Sequence, residues 1–97
     1  MVKKIRWSAR AYKDKLEILN YWINRNKSNT YSIKLDRLFD ESIELLAEIP
    51  ELGKSTDFST VRIKIIRDYL IYYRIGSDHI EIAALWDSRR NPKKFKL

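Results

Sequence analysis

The hydrophobic positions in the first third of the chain recur at helical spacing. Residues 9–26 contain no Gly or Pro, and Ser8 stands directly before them. The apolar residues of this stretch are Tyr12, Leu16, Leu19 and Ile23, with Trp22 beside them. Steps of three and four residues place side chains on one face of a helix, and a serine at this point can accept an N–H of the first turn. The pattern therefore predicts an amphipathic helix that begins after Ser8.

A second helical pattern covers residues 31–49, after a break at residues 27–30. Pro50 ends it, because a proline disfavours helix at the residue before it. Two helices joined by so short a connection are expected to form an antiparallel hairpin. The predicted apolar stripe of the second helix consists of Leu35, Leu38, Leu45 and Ile49, flanked by Phe39 and Leu46.

Beyond Pro50 the period changes from helical to alternating, which predicts strands over residues 61–65, 69–75 and 80–86. Short turns at Arg67–Asp68 and at residues 76–78 join them, as in an antiparallel meander. A shorter alternation over residues 2–7 predicts one more strand. We expect one face of the sheet to pack on the helices. The other face is expected to carry Arg62, Lys64, Leu70, Tyr72 and Arg74.

The predicted fold class is α+β, a two-layer domain of order β-α-α-β-β-β in which a helical hairpin packs on an antiparallel sheet. Its 97 residues fit a single domain that spans residues 1–97. Residues 87–97 are basic and contain Pro92, so they are expected to form a tail or short extension.

Composition narrows the chemistry and the location. There are no cysteines, which excludes disulfides, thiolate metal sites and cysteine nucleophiles. The N-terminal residues lack a signal-peptide apolar run, and the longest apolar stretch, residues 69–73, is far too short to span a membrane. We therefore expect a cytoplasmic protein.

Charge is distributed unevenly along the chain. The net charge is +7, with +6 in residues 1–27, −4 in residues 28–59 and +5 in residues 60–97. Two basic flanks around an acidic middle favour a polyanion such as nucleic acid, or an acidic protein partner. A solubilising charge distribution would explain the same numbers.

The local sequences resemble the RelE/ParE superfamily of bacterial toxins. IRWSARAYKDKLEILNYW is similar to that family's first strand and helix, while VRIKII, LIYYRI and HIEIAALWDSRRNP are similar to its three later strands and their ending. The resemblance implies a toxin that a small acidic antitoxin neutralises in a hetero-oligomer. RelE-like members cut mRNA on the ribosome, whereas ParE-like members inhibit DNA gyrase.

The resemblance also implies site residues for RNA cleavage. Arg62 and Lys64 match a pair of lysines on the first meander strand, and Arg89 matches an arginine after the last strand that would hold the scissile phosphate. These three are the candidate catalytic residues, without a metal or cofactor. The candidate nucleic-acid-binding residues are Arg90, Tyr72, Arg74, Phe95, Lys93 and Lys94.

Two departures weaken the nuclease interpretation. A family arginine in the middle strand falls here on Leu70, and the C-terminal tyrosine falls on Phe95, which could stack on a base but has no hydroxyl. Tyr72 and Arg74 could compensate, unless Arg74 instead pairs with Glu81 across the hairpin.

Several residues receive structural interpretations instead. His79, the single histidine, is taken as incidental, and Asp87 is expected to orient Arg89 or to cap the turn. Trp7, Trp22 and Trp86 are expected in the core.

Three functions stay open at this point. The three matching basic positions slightly favour a ribosome-dependent mRNA endoribonuclease. The alternatives are a gyrase inhibitor without enzymatic activity and a decayed toxin that only binds its antitoxin.

Overall fold

A computed structural model describes residues 2–58 and 60–97 of the chain. Two helices, α1 (Ala9–Asn26) and α2 (Thr30–Glu48), follow a first strand. The strands are β1 (Lys4–Trp7), β2 (Lys54–Ser55), β3 (Val61–Ile66), β4 (Tyr69–Ile75) and β5 (His79–Asp87). Single 3₁₀ turns occupy Pro50–Leu52 and Pro92–Lys94.

The strands form one five-stranded sheet of order β1-β5-β4-β3-β2. The predicted fold class and element order are confirmed, with two additions. The sheet is mixed, because β1 runs parallel to β5 while the other neighbours are antiparallel. The short strand β2, which no alternation revealed, pairs with the start of β3. Neither helix, as described, combines the length and apolarity that crossing a bilayer requires.

Helix α1 starts where β1 stops, and its first turns close the free edge of β5. Ser8 caps the helix by accepting the Ala11 N–H at 2.9 Å, as predicted, and its hydroxyl donates to the Ala83 carbonyl at 3.0 Å. Asp14 Oδ2 accepts the Leu85 N–H at 3.1 Å. Because β1 pairs only with residues 79–82, these side chains satisfy β5 groups that have no strand neighbour there.

The helices form the predicted antiparallel hairpin. Lys15 Nζ lies 3.3 Å from Asp36 Oδ1, and the Ser32 hydroxyl donates to the Leu19 carbonyl at 2.6 Å. At the end of the hairpin, Lys27 adopts a left-handed conformation with φ of 55°, which lets the chain leave α1 and enter α2 after three residues.

The main core lies between this hairpin and one face of the sheet, the helix side. Most of the buried helical side chains in this core belong to α2, because α1 contributes Ala11 as its buried residue. Its buried members are Ala11, Leu35, Phe39, Ile43, Leu46, Ala47, Tyr69, Ile71, Tyr73, Ile80, Ile82 and Leu85. Trp7 and Trp22 pack against this core, in agreement with the prediction for both.

A second, smaller core covers the opposite face of the sheet, the open side. It consists of Val61, Tyr72, Ala83, Ala84 and Trp86, with Ile63, Leu70 and Phe95 packed against them. The alternation placed Trp86 on the same face as Ile80 and Ile82, which is wrong. A β-bulge explains the difference: Tyr72 pairs with Ala84 but Tyr73 pairs with Ile82, so Ala83 has no partner and the facing of later residues is reversed.

The apolar stripe of α1 is largely exposed. An amphipathic pattern normally turns its apolar residues toward the core, yet Tyr12, Leu16 and Ile23 are between 36% and 46% exposed. On α2 the core-facing residues are centred on Leu35, Phe39, Ile43 and Leu46, while Leu45 and Ile49 of the predicted stripe are exposed. The hairpin therefore presents apolar surface that the fold itself does not cover.

Candidate functional site

The strand register divides the predicted basic face into two. Arg62 pairs with Tyr73 and Lys64 with Ile71, both of which belong to the main core. Directly paired residues share a face of the sheet, so Arg62 and Lys64 lie on the helix side. Tyr72 lies in the open-side core and Arg74 pairs with Val61 of that same core. The expectation that these basic residues share one open face is therefore wrong.

Arg62 is engaged by backbone carbonyls near the start of β2. Its Nη1 donates to the Gly53 carbonyl at 2.8 Å and to the Glu51 carbonyl at 3.3 Å. Lys64 is half-buried on the next helix-side position of β3. In the described part of the chain, it takes part in no salt bridge or side-chain hydrogen bond, which leaves its ammonium group available.

Arg89 forms a bidentate ion pair with Asp87, which was expected to orient Arg89 or to cap the turn. Its Nε donates to Asp87 Oδ1 at 2.9 Å and its Nη2 to Oδ2 at 2.8 Å. These hydrogen bonds lower the pKa of Asp87 and raise that of Arg89, so both groups stay charged. The guanidinium also stands 6.0 Å from the Trp22 ring and 3.9 Å from Asp68. Asp87 therefore occupies the Nε–Nη2 edge of the guanidinium, which a phosphate would otherwise bind through two hydrogen bonds.

A cleft of about 470 Å³ separates α1 from the ends of β4 and β5. One end of this cleft is basic, and its opposite wall is acidic and apolar. It is lined by Asp14, Glu17, Ile18, Tyr21, Tyr69, Leu85, Asp87, Arg89 and Arg90. Burial raises the pKa of Asp14 in its wall, although the Leu85 N–H and Arg10 oppose that shift.

On the open side, the C-terminal segment folds back over the sheet. The Phe95 ring stacks on Tyr72 with centroids 4.2 Å apart and meets the Trp86 ring edge-on at 5.1 Å. Arg90 lies over Trp86 at 4.7 Å, and Arg10 of α1 lies over Phe95 at 5.0 Å. The faces of Tyr72 and Phe95 that could stack on a base are in contact with each other. The tail thus packs on this side of the sheet.

The remaining residues that the sequence predicted for the site line neither the cleft nor the aromatic cluster of Tyr72, Trp86 and Phe95. Arg74 pairs with Glu81 at 3.0 Å, which was the structural alternative for it. Lys93 and Lys94 are exposed on the last 3₁₀ turn. His79 Nδ1 lies 3.0 Å from Asp78 Oδ1. In the residues that the structure describes, no three His, Cys, Asp or Glu side chains gather as a metal site would require.

Sequence reasoning missed Asp14, Tyr69 and Arg10 as parts of these surfaces. Tyr69 is buried and its hydroxyl accepts the Trp22 indole N–H at 2.7 Å beside the cleft. The available signal for Asp14 was its place between Lys13 and Lys15 in a helix that is basic overall, since a buried polar group usually has a hydrogen-bond partner.

The helical hairpin on a five-stranded sheet, with cationic groups on both faces, defines a small basic α+β domain. A family model described as "ParE toxin of type II toxin-antitoxin system, parDE" matches residues 5–92, and the chain belongs to this family. The predicted RelE/ParE superfamily membership is thereby confirmed.

A solved structure shares the fold. The chain is similar to one in "Chromosomal ParDE TA system from P. aeruginosa", with a TM-score of 0.75 and 15% identity over 87% of this chain and 94% of that one. A search of curated proteins found no match.

Proposed function

We propose that this chain is the toxin of a type II toxin–antitoxin pair and that it acts in the cytoplasm by binding DNA gyrase, without enzymatic activity. Membership of the ParE toxin family supports the first part. The second part is supported by a separation of predicted site residues: the catalytic candidates Arg62 and Lys64 lie on the opposite side of the sheet from the nucleic-acid-binding candidates Tyr72 and Arg74.

RNA cleavage at a 2′-hydroxyl needs groups that converge on one phosphate: a proton acceptor, cations and a donor to the leaving oxygen. Arg62 is held by two carbonyls and Arg89 by both oxygens of Asp87. Leu70 supplies no charge, and Phe95 has neither a hydroxyl nor a free ring face toward Tyr72. This arrangement favours a binding function over RNA cleavage.

The ribosome-dependent mRNA endoribonuclease is the second candidate function. One observation favours it: Lys64, paired with Ile71, and Arg89, beside Tyr69, both belong to the helix side of the sheet. Its candidate cations would then be Lys64 and Arg89, and the open-side residues, with Arg90 over Trp86, would have no part in it.

A paired assay distinguishes these functions. Purified toxin is added to gyrase with relaxed plasmid, and separately to a translation extract programmed with a defined message. We expect supercoiling to be inhibited and the message to stay intact. Message cut at ribosome-bound codons, with supercoiling unaffected and Arg89→Ala abolishing the cuts, would replace the gyrase proposal by the nuclease. Full growth on expression without antitoxin would leave a decayed toxin that only binds its partner.

We propose a small acidic antitoxin as the partner, in a hetero-oligomer. The open part of β3 supports this, because β2 pairs only with Arg62 and Ile63 and leaves the outer edge of residues 64–66 without a strand neighbour in the described residues. Lys64 adds a cation there, so an acidic extended segment fits. Lys64→Glu should weaken capture of the antitoxin encoded beside the toxin, whereas Lys93→Glu on the tail should have little effect.

A further inference from the structure

The edge strand β1 contributes cations to the open side of the sheet. In its parallel register with β5, Lys4 pairs with His79 and Arg6 with Glu81. Glu81 also pairs with Arg74, which lies on the open side, and directly paired residues share a face. Lys4 and Arg6 therefore lie on the open side as well, and both are exposed.

The C-terminal segment and the start of α1 bring further cations to the same side. Arg90 lies over the Trp86 ring at 4.7 Å, and Arg10 lies over the Phe95 ring at 5.0 Å. Both rings belong to the open-side core. The 3₁₀ turn Pro92–Lys94, directly before Phe95, adds exposed lysines. We call this surface the positive face; its cations are Lys4, Arg6, Arg10, Arg90, Lys93 and Lys94.

Few carboxylates balance the positive face. Among the open-side positions of β1, β4 and β5, all of which the structure describes, Glu81 is the acidic residue, and Arg74 binds it at 3.0 Å. Within residues 2–58 and 60–97, Lys4, Arg6 and Arg90 form no salt bridge. These three cations are therefore available to an external anion.

The acidic residues are concentrated on the other side of the sheet. Residues 28–59, which carry a net charge of −4, consist mainly of α2. Arg10 is the exception on the positive face, because its Nε lies 3.3 Å from Asp14 Oδ2. The charge is thus segregated by face, which a merely solubilising distribution does not require.

The aromatic rings of this side are not available to unstacked bases. Single-stranded nucleic acid is typically bound by cations together with ring faces on which the bases stack. Here Tyr72 and Phe95 cover each other at 4.2 Å, and Arg90 covers Trp86. A polyanion would therefore meet guanidinium and ammonium groups instead of rings. A duplex fits this surface, because it presents phosphates without requiring its bases to unstack.

We propose that the positive face binds the phosphate backbone of duplex DNA without sequence preference. Lys4 and Arg6 on β1 contact phosphates together with Arg90, Lys93 and Lys94 of the C-terminal segment, and counterion release drives the binding. This surface is separate from the β3 edge proposed for the antitoxin, since β5 and β4 lie between β1 and β3. The proposal goes beyond gyrase binding and does not depend on it.

Fluorescence anisotropy of a short labelled DNA duplex, titrated with the full-length protein at several salt concentrations, tests the proposal. We expect duplexes of unrelated sequence to bind equally well at low salt, and a single strand to bind more weakly. The logarithm of the binding constant should fall linearly with the logarithm of the salt concentration, with a slope of about −0.9 per phosphate contact.

Matched charge reversals locate the binding. Lys4→Glu combined with Arg6→Glu should weaken duplex binding about tenfold or more and reduce the salt slope by about two. The control combines Lys34→Glu with Arg25→Glu, at exposed positions of the helical hairpin. It changes the net charge by the same amount and should weaken binding much less.

A second pair of substitutions, Lys93→Glu with Lys94→Glu, probes the positive face away from β1 and should also weaken binding more than the control. Three results would overturn the proposal: no duplex binding at low salt, equal losses in the β1 variant and the hairpin control, or tighter binding of a single strand or an RNA duplex than of the DNA duplex. Thermal unfolding of each variant shows that it is folded. Gyrase is absent from this measurement, so DNA binding can fail while supercoiling is inhibited, and the reverse.

Discussion

Phe95, in the C-terminal segment, stacks on Tyr72 in the middle of the sheet, with ring centroids 4.2 Å apart and planes inclined by 20°. Trp86 meets the same ring edge-on at 5.1 Å. The C-terminal segment thereby completes a second core on the face of the sheet that the helices leave open. A residue that the family resemblance assigned to nucleic-acid contact is engaged in packing.

Replacing Phe95 should therefore destabilise the fold. Phe95→Ala removes a half-buried ring and two aromatic contacts, and we expect the free energy of unfolding to fall by about 2 kcal/mol. Urea denaturation followed by tryptophan fluorescence measures it. Lys96→Ala, an exposed neighbour, is the control and should stay within about 0.5 kcal/mol of the parent. Equal stability of the two variants would show that the tail does not cover the open side.

The Tyr73 hydroxyl ties the sheet to the turn after α2. It donates to the Pro50 carbonyl at 2.6 Å and accepts the buried Gly53 N–H at 2.9 Å. Tyr73→Phe leaves that N–H without an acceptor, so we expect a loss of about 1–3 kcal/mol of unfolding free energy. Tyr12→Phe, at an exposed hydroxyl, is the matched control. Thermal unfolding by circular dichroism compares them, and an unchanged midpoint in Tyr73→Phe would contradict the role given to the hydroxyl.

Gly53 is fixed by the same close approach. A Cβ at this position would stand 2.5 Å from Tyr73 Oη and 2.8 Å from the Ile63 carbonyl oxygen. Because one neighbour is backbone, the structure cannot relax by a side-chain rotation alone. We expect Gly53→Ala to lower the midpoint of thermal unfolding clearly, whereas Ser55→Ala on the exposed strand β2 should not. An unaltered midpoint in Gly53→Ala would show that the two segments are not so tightly packed.

The elements and their order could be predicted from the sequence, because period, caps and turns are local properties. Ser8, Pro50 and the Arg67–Asp68 turn each stand where an element begins or ends. The faces of the strands could not be predicted in the same way. Val61 and Ile63 are apolar on the open side while Tyr73 and Ile71 are apolar on the helix side, so the alternation alone does not say which face meets the helices.

A bulge explains the separate error on the facing of Trp86 in β5. Ala83 and Ala84 are both small and apolar, and nothing in their identity reveals a bulge that reverses the later residues of β5. The Arg89–Asp87 pair could be anticipated. Asp87 ends the last strand, and an arginine two residues later is close enough to return to that carboxylate. The second core could not be predicted from the sequence, because it depends on a contact between β4 and the C-terminal segment.

The Asp87–Arg89 pair should give the protein a stability component that acid removes. The Arg89 hydrogen bond lowers the pKa of Asp87 in the folded state, so its contribution is present above the ordinary value of 3.8 and is lost as the pH falls through the lower folded pKa. Because Arg89 is half exposed, we expect about 1 kcal/mol or less from the pair at pH 7. Denaturation of Asp87→Asn and of the parent at pH 7 and pH 3 measures it. The difference should shrink at pH 3, and a difference that grows on acidification would contradict the sign.

Asp14 should give the opposite pH dependence of stability. Two substitutions at this position separate the effect of its charge from that of its hydrogen bond. Burial raises its folded pKa above 3.8, so the folded state holds the proton more tightly than the unfolded chain does. Its ionised form therefore reduces stability as the pH rises through the folded pKa, even though Oδ2 accepts the Leu85 N–H at 3.1 Å. Asp14→Asn keeps an acceptor and removes the charge, so at pH 7 its unfolding free energy should equal or exceed that of the parent.

Asp14→Ala removes the acceptor as well, and leaves the Leu85 N–H of a buried strand unsatisfied. We expect it to be less stable than Asp14→Asn by about 1–3 kcal/mol, because no strand neighbour replaces the side chain at this edge of β5. Urea denaturation at pH 7 orders the three proteins. Asp14→Asn as unstable as Asp14→Ala would mean that the carboxylate charge, rather than its hydrogen bond to Leu85, joins α1 to the sheet.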